Sequence, residues 1–397
     1  MRYRSFAALI LSLALLTPTV AGGQTGRGDK ENRPNATDLG ANAAMKYWQA
    51  FALLPNLDKD QEKLLEDWNK VPLDAAALKL IEKGEPSREY LGRAAKLQRC
   101  DWSLDYDDGI WLRMPFLGKA LTLARLTALH ARHEFKQGRW KSGWTDVTAV
   151  FYLGRHVEMA ETFITRLVGY RIERMAMEAA APYLPESKSG LPENAAADLD
   201  RLPAAPTIQQ IVRREKEVGP AWLLQRIKTA EQQKPGAWQE VWNEVFDAII
   251  SSAEGRGPNR DSVNTIKNYE EATKALEGLL PLFDQLTKLV SLPPKEFDAQ
   301  YPEFVKKAKA ANPLAEYLLP NMNNFVPGER RLQTQIALFK AALAIVQGGQ
   351  DKVNDIKDPF GAGPFEYRPL NKGFELKSKL LYKGEPVTLV VGQVKKD

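Results

Sequence analysis

"FLGKALTLARLTALHARHEFKQGRWKSGWTDVTAVFYLGRHVEMAETFITRLVGYRIERMAMEAA", residues 116–180, repeats apolar side chains at intervals of three and four. That spacing lines one side of a helix with 3.6 residues per turn. Leu117, Leu121, Ala124, Ala128, Ala131 and Phe135 make a first stripe. Val147, Val150, Phe151, Gly154 and Val157 make a second, and Ile164, Val168, Ile172, Met175 and Ala179 a third that stops at Pro182. The first break, at "QGRW", is short, and short connections make neighbouring helices antiparallel. The segment therefore predicts a helical hairpin with a third helix folded back on it.

The same period extends outward in both directions. "NAAMKYWQAFALLP" puts Ala43, Tyr47, Ala50 and Leu54 on one face, and "DKDQEKLLEDW" and "LDAAALKLIEKG" follow as short helices, the second ending at Gly84. On the C-terminal side, "SKSGLPENAAADLDRLPAAP" is rich in proline and small polar residues and reads as a linker over 187–206 between an N-terminal helical domain (41–186) and a second helical region (207–350). Within the latter, "AWQEVWNEVF" aligns Trp238, Trp242 and Phe246 as a core stripe. The tail changes period: Phe374, Leu376, Ser378 and Leu380 alternate with Glu375, Lys377 and Lys379, which is a strand pattern, and "NKG" and "YKGEP" supply turns. The predicted fold is mainly α, stacked antiparallel helical hairpins in a tetratricopeptide-like array, with a small C-terminal antiparallel β meander over 355–397. That meander needs the apolar face of the helix 329–347 to pack on.

The N-terminus carries Arg2 and Arg4 before an apolar run from Phe6 to Leu16, with Thr19 and Ala21 at small-residue positions, and reads as a signal peptide over 1–21. The run is shorter than the ~20 apolar residues of a membrane span. Residues 22–40 have almost no large apolar side chains and read as a flexible leader. The expectation is an exported chain, periplasmic or extracellular, soluble after signal removal and without a transmembrane segment. Cys100 is the single cysteine, so no internal disulfide framework exists, and burial is its expected state. The formal charge of +5 is dispersed among acidic neighbours, as in "RREKEVG", with no basic stripe or recognisable module that would indicate a nucleic-acid partner.

Two clusters carry candidate chemistry. In "RCDWSLDYDDGIW", Asp101, Asp105, Asp107 and Asp108 lie among Trp102, Tyr106 and Trp111. Carboxylates beside aromatic faces are the equipment of a sugar site, one acid protonating the leaving oxygen and a second serving as base or nucleophile. The alternative is a polar loop in which aspartates cap and tryptophans anchor. The spacing does not fit a calcium loop, which counted back from Gly109 needs acids where Tyr106 and Leu104 stand. In "LHARHEF", His130 and His133 share a helix side with Glu134 beside them. Zinc needs a third ligand. His156, in a hairpin turning near Arg139, falls opposite about Leu123, an offset of ~10 Å along the axis, so no metal is expected. Asp146 is expected opposite His133. Trp102, Trp111, His133 and Trp140 are the candidate ligand-binding side chains, and Asp101, Asp105, Asp108 and His130 the candidate catalytic ones. No phosphate loop, serine elbow or Cys-x-x-Cys occurs, and no cofactor is expected.

"CDWSLDYDDGI", the "GRW" hairpin, "LGRHVEMAETFITRLVGYRIERMAMEA" and the tail "DPFGAGPFEYRPLNKGFELKS" resemble a group of exported, largely helical proteins of planctomycete-type bacteria with no established function. The resemblance spans residues 100–185 and 329–378. Members of that group end in an acidic, glycine-rich segment after the last strand, whereas this chain continues "LLYKGEPVTLVVGQVKKD". The resemblance implies export and a helical architecture and supplies no catalytic residues. Together these observations lead us to expect an exported non-catalytic helical scaffold that binds a peptide, protein or glycan. The alternative is a carbohydrate-active enzyme, a glycoside hydrolase or lyase on an α/α scaffold, using the aspartates near Trp102.

Overall fold

A computed structural model describes residues 42–187, 190–252 and 260–392, so the expected signal segment and leader lie outside the described residues. Four short helices come first: α1 (Ala43–Ala52), α2 (Lys59–Glu66), α3 (Ala75–Lys83) and α4 (Glu85–Ala94). The first three begin on side chains that accept backbone N–H groups of the first turn: Asn42 from Ala44, Asp58 from Gln61, and Asp74 from Ala76 and Ala77. Such caps satisfy donors that a helix start otherwise leaves unpaired.

The central hairpin consists of α5 (Phe116–Lys136), α6 (Trp140–Glu158) and α7 (Phe163–Ala180), each packed against the other two. Gly138 at φ 71° lies in the first turn and Glu161 at φ 57° in the second. Thr162 then opens α7 in a reciprocal cap, its hydroxyl accepting from Thr165 N–H while the Thr165 hydroxyl accepts from Thr162 N–H. All the expected stripe residues are buried except Ile164, which is 50% exposed. The first turn of α7 buries Thr165 and Arg166 instead, and this leaves Ile164 and Leu167 on the outer side.

The chain continues through α8 (Ala195–Asp200) and α9 (Ile208–Lys216), a π turn at Glu217–Ala221 containing Pro220, and α10 (Trp222–Gln233). Then come α11 (Trp238–Ser252), α12 (Asp261–Asn264), α13 (Tyr269–Leu289), α14 (Pro294–Ala311), α15 (Ala315–Leu318) and the long α16 (Met322–Gly348). The tail is a meander of β1 (Glu366–Leu370), β2 (Gly373–Tyr382) and β3 (Glu385–Gly392), in that order and antiparallel. The protein is thus mainly helical with a small C-terminal sheet. Phe374, Leu376 and Ser378 of β2, with Val387 and Val391 of β3, are buried, and both strands pack on α16. Lys383 at φ 55° and Gly384 at φ 83° form the two-residue hairpin turn that matches strand twist. No helix among the described residues is long and apolar enough to cross a membrane.

Contacts group the chain differently from the expected division at 187–206. A first unit comprises 42–105, 112–214 and 321–392, and a second comprises 106–111 and 215–320. The proline-rich stretch belongs to the first unit because Leu191, Ala195 and Leu199 are buried in its core, and the Trp144 indole N–H donates to Asp198 at 2.9 Å. Helix α16 and the sheet also join that core, through Phe339, Leu343, Phe374 and Leu376. The second unit has its own buried residues, among them Trp242, Phe246, Leu276, Phe283 and Tyr301.

Candidate functional site

Trp102 is buried, and this corrects its reading as a ligand platform. Its ring stacks on Phe116 at 4.0 Å between centroids and lies close to Tyr47 and Phe51. Its indole N–H donates to the His156 carbonyl at 2.7 Å. Both polar and apolar parts of the side chain are therefore consumed by the core. Asp101 Oδ1 accepts from Ser103 N–H at 2.9 Å, holding Ser103 at φ 52°, while the Asp101 backbone exchanges hydrogen bonds with the Asn42 side chain. Asp105 and Asp107 are likewise engaged. Asp108 is exposed, as is Trp111 at 37%, and both belong to the second unit, where Trp222 N–H donates to the Asp107 carbonyl at 2.7 Å. Gly109 at φ 58° lies against that indole, and a Cβ there would overlap it. Cys100 is buried, and burial, then Asp101, pushes its thiol up, away from the thiolate a nucleophile needs.

The histidines separate. His130 Nδ1 lies 2.6 Å from Asp146 Oδ2, and its Nε2 lies 3.5 Å from Glu134 Oε1. Asp146 thus meets His130, one helical turn from the His133 position that simple hairpin register suggested. Arg139 holds Glu134 through Nε at 2.8 Å and Nη2 at 2.5 Å, and that hydrogen bonding lowers the Glu134 carboxyl to about 2. Burial pushes the Asp146 carboxyl up against the opposing pull of His130. His133 stands outside this cluster, and burial, then Arg139, lowers its imidazole. His156 is fully buried with Nδ1 2.7 Å from the Tyr47 hydroxyl, and burial lowers it to about 4, so it is neutral. Trp140 stacks on Phe135 and covers Gly190, where a Cβ would strike the indole. Among the described residues no group of three His, Cys, Asp or Glu side chains is placed to hold a metal.

One cluster has no counterpart in the sequence reading. Glu158 at the end of α6 and Glu173 in α7 are both fully buried. Arg166 bonds Glu158 and also donates to Glu329 of α16 through Nη2 at 2.7 Å and Nε at 3.2 Å. Arg155 Nε lies 2.7 Å from Glu173 Oε1, the Tyr170 hydroxyl accepts from Arg166 at 2.8 Å, and Gln333 donates to Glu329 at 3.1 Å. Two glycines make the space: a Cβ at Gly169 would sit 2.2 Å from Glu158 Cγ, and one at Gly154 2.8 Å from Glu173 Cγ. Gly154 was legible as a core position, but the carboxylate it accommodates was not. Three carboxylates here face two guanidiniums, which leaves one negative charge uncompensated. Burial pushes both Glu158 and Glu173 up, Glu158 further by the charge of Glu173, which favours a proton shared by the pair.

The first unit also bears an open cleft of about 480 Å³ between the turn after α1 and the start of α5. Leu54, Pro55, Leu57 and Pro115 supply the apolar part of its lining, and Asn56, Glu62, Lys119 and Thr122 the polar part, with one acid and one base among them. No family model, curated protein or solved structure matches this chain.

Proposed function

We propose that the protein is an exported, non-catalytic helical scaffold that holds a peptide in the cleft beside Leu54, Leu57 and Lys119. The cleft carries this reading: its volume lies in the range of small-ligand sites, about 300–1,000 Å³, and its open lining mixes apolar side chains with polar ones that suit the alternating apolar and amide groups of a peptide. The carboxylates that an enzyme would need support it from the other side, because Asp101 is turned into its own loop and Trp102 offers no stacking face. Export rests on the N-terminal charged and apolar pattern.

The test is a random peptide library and a panel of cell-wall and matrix polysaccharides presented to the full chain. Gly118 lines the cleft and a Cβ there would meet nothing within 4 Å, so Gly118→Trp adds bulk at the cleft with no clash at its Cβ. Selected peptides are expected to bind at least tenfold more weakly to that variant. Polysaccharide turnover abolished by Asp101→Asn and Asp105→Asn, with the fold intact, would establish the carbohydrate-active alternative instead.

A further inference from the structure

The cleft beside the turn after α1 holds two opposite charges that are not paired with each other. Glu62 of α2 and Lys119 of α5 both line it, both are exposed, and neither forms an ion pair or a side-chain hydrogen bond among the described residues. The two helix starts differ in what they already have. Asp58 and Gln61 cap α2 reciprocally, so Glu62 is not needed there. Helix α5 starts at Pro115 with no side-chain cap and no acidic residue in its first turn, and Lys119 stands at the end of that turn. A cation at the positive end of a helix dipole is unfavourable, so both the lysine and the helix start call for an anion at this corner of the cleft.

A ligand that answers both charges carries an ammonium and a carboxylate a short distance apart. At pH 7 a peptide with free ends does so, because its α-amino group is protonated below about 8 and its α-carboxyl ionised above about 4. Two to four residues of extended chain reach about 7–14 Å. The cleft, at about 480 Å³, is of the size that encloses a small ligand, so both ends of such a peptide reach its lining. Between the ends, Leu54, Leu57 and Pro115 give apolar contact, and the Asn56 side chain offers a donor and an acceptor to a peptide unit.

We infer that the cleft takes a short free peptide of about two to four residues, its terminal ammonium at Glu62 and its terminal carboxylate at Lys119 and the uncapped start of α5. The inference rests on the peptide reading of the cleft and narrows it, from any peptide segment to one that ends within the site.

Calorimetric titration of the full chain with peptides of alanine and leucine, two to six residues long, tests this at pH 7 and constant ionic strength, each peptide being used with free ends, N-acetylated, C-amidated or blocked at both ends. Free-ended peptides of two to four residues are expected to bind most tightly, and blocking either end to weaken them about tenfold. The ends should map to separate residues: acetylation has no further effect in Glu62→Gln, and amidation none in Lys119→Gln, while both variants melt within about 2 °C of the wild type. Wild-type binding should also weaken from pH 7 to 9 as the peptide amine loses its proton, and Glu62→Gln should lack that dependence. Doubly blocked peptides that bind as tightly as free ones, and more weakly to Gly118→Trp, overturn the inference and leave the peptide reading standing. Blocking penalties that persist unchanged in Glu62→Gln and Lys119→Gln also overturn it, because the ends are then held elsewhere. If no peptide binds, free or blocked, both readings fall.

Discussion

Replacing Glu173 by Gln should alter how the protein's stability depends on pH. The wild-type cluster sets Glu158, Glu173 and Glu329 against Arg155 and Arg166, and it closes electrically only by keeping one proton. In the unfolded chain that proton leaves near the ordinary glutamate value of 4.5, whereas burial holds it in the native state to higher pH. A group whose native value is raised contributes its full stability below the unfolded value and loses it as pH climbs through the native one. One proton corresponds to about 1.4 kcal/mol per pH unit across that window. Glu173→Gln leaves two carboxylates against two guanidiniums and removes the charge that adds to burial in raising Glu158, so the proton is held less tightly than in the wild type. The difference between variant and wild type should therefore move in the variant's favour by at most about 1.4 kcal/mol per pH unit above pH ~5, an upper limit of roughly 3 to 6 °C in melting temperature. Parallel thermal melts at half-unit steps from pH 5 to 8 measure it, and other titrating groups cancel in the difference. A difference that stays flat, or that turns against the variant as pH rises, refutes the retained proton. Arg166→Met, which strands Glu158 and Glu329, should cost about 3 to 5 kcal/mol at pH 7.

Three further outcomes are expected. Truncation after Asp355 removes from α16 the sheet that packs on it, with its buried Phe374, Leu376, Val387 and Val391, and should lower the melting temperature and promote aggregation, read by calorimetry and light scattering. Trp102→Ala should cost about 3 to 5 kcal/mol in chemical denaturation because it empties an aromatic cluster, while peptide affinity measured below the unfolding transition stays unchanged. Gly169→Ala should destabilise strongly although alanine favours helix, because its Cβ meets Glu158 at 2.2 Å, and Gly169→Ala combined with Glu158→Ala should recover much of that loss.

Periodicity made the helices readable because burial against neighbours is a one-sided demand that repeats every 3.6 residues, as Leu117 through Phe135 show. The sheet was readable for the same reason at period two, in Phe374, Leu376 and Ser378. Where a polar side chain carries the packing, pattern fails. Arg166 and Thr165 occupy the buried face of α7 that apolar spacing assigned to Ile164. The division into units was hidden because a proline-rich stretch signals irregular backbone and not absence of contact, and Leu191, Ala195 and Leu199 anchor this one. Among the candidate site residues, the pairing of His130 with Asp146 depended on helix rotation, which hairpin register fixes only to within a turn. The burial of Trp102 followed from three partners, Tyr47, Phe51 and Phe116, that lie far from it along the chain or on another element. The cluster around Glu158 needed residues from three helices, one of them more than 150 positions away in sequence, which no local window contains.

The first unit is written in pieces, and this orders its assembly in time. Phe339 fills the space beside Trp144 and Phe151 at 6.2 and 6.0 Å, Phe325 meets Phe163 edge-on at 4.5 Å, and Glu329 completes the Arg166 pair. A chain growing from its N-terminus makes Trp144, Phe151 and Arg166 long before these partners, with the whole of 215–320 intervening. Until residue 339 emerges, the hairpin keeps an apolar trough open and a buried-type arginine half answered, so this unit gains its last cooperative step late in synthesis. A nascent chain that cannot close early stays threadable for longer. The same delay makes the period before residue 339 the interval in which a holding chaperone has the most surface to grip.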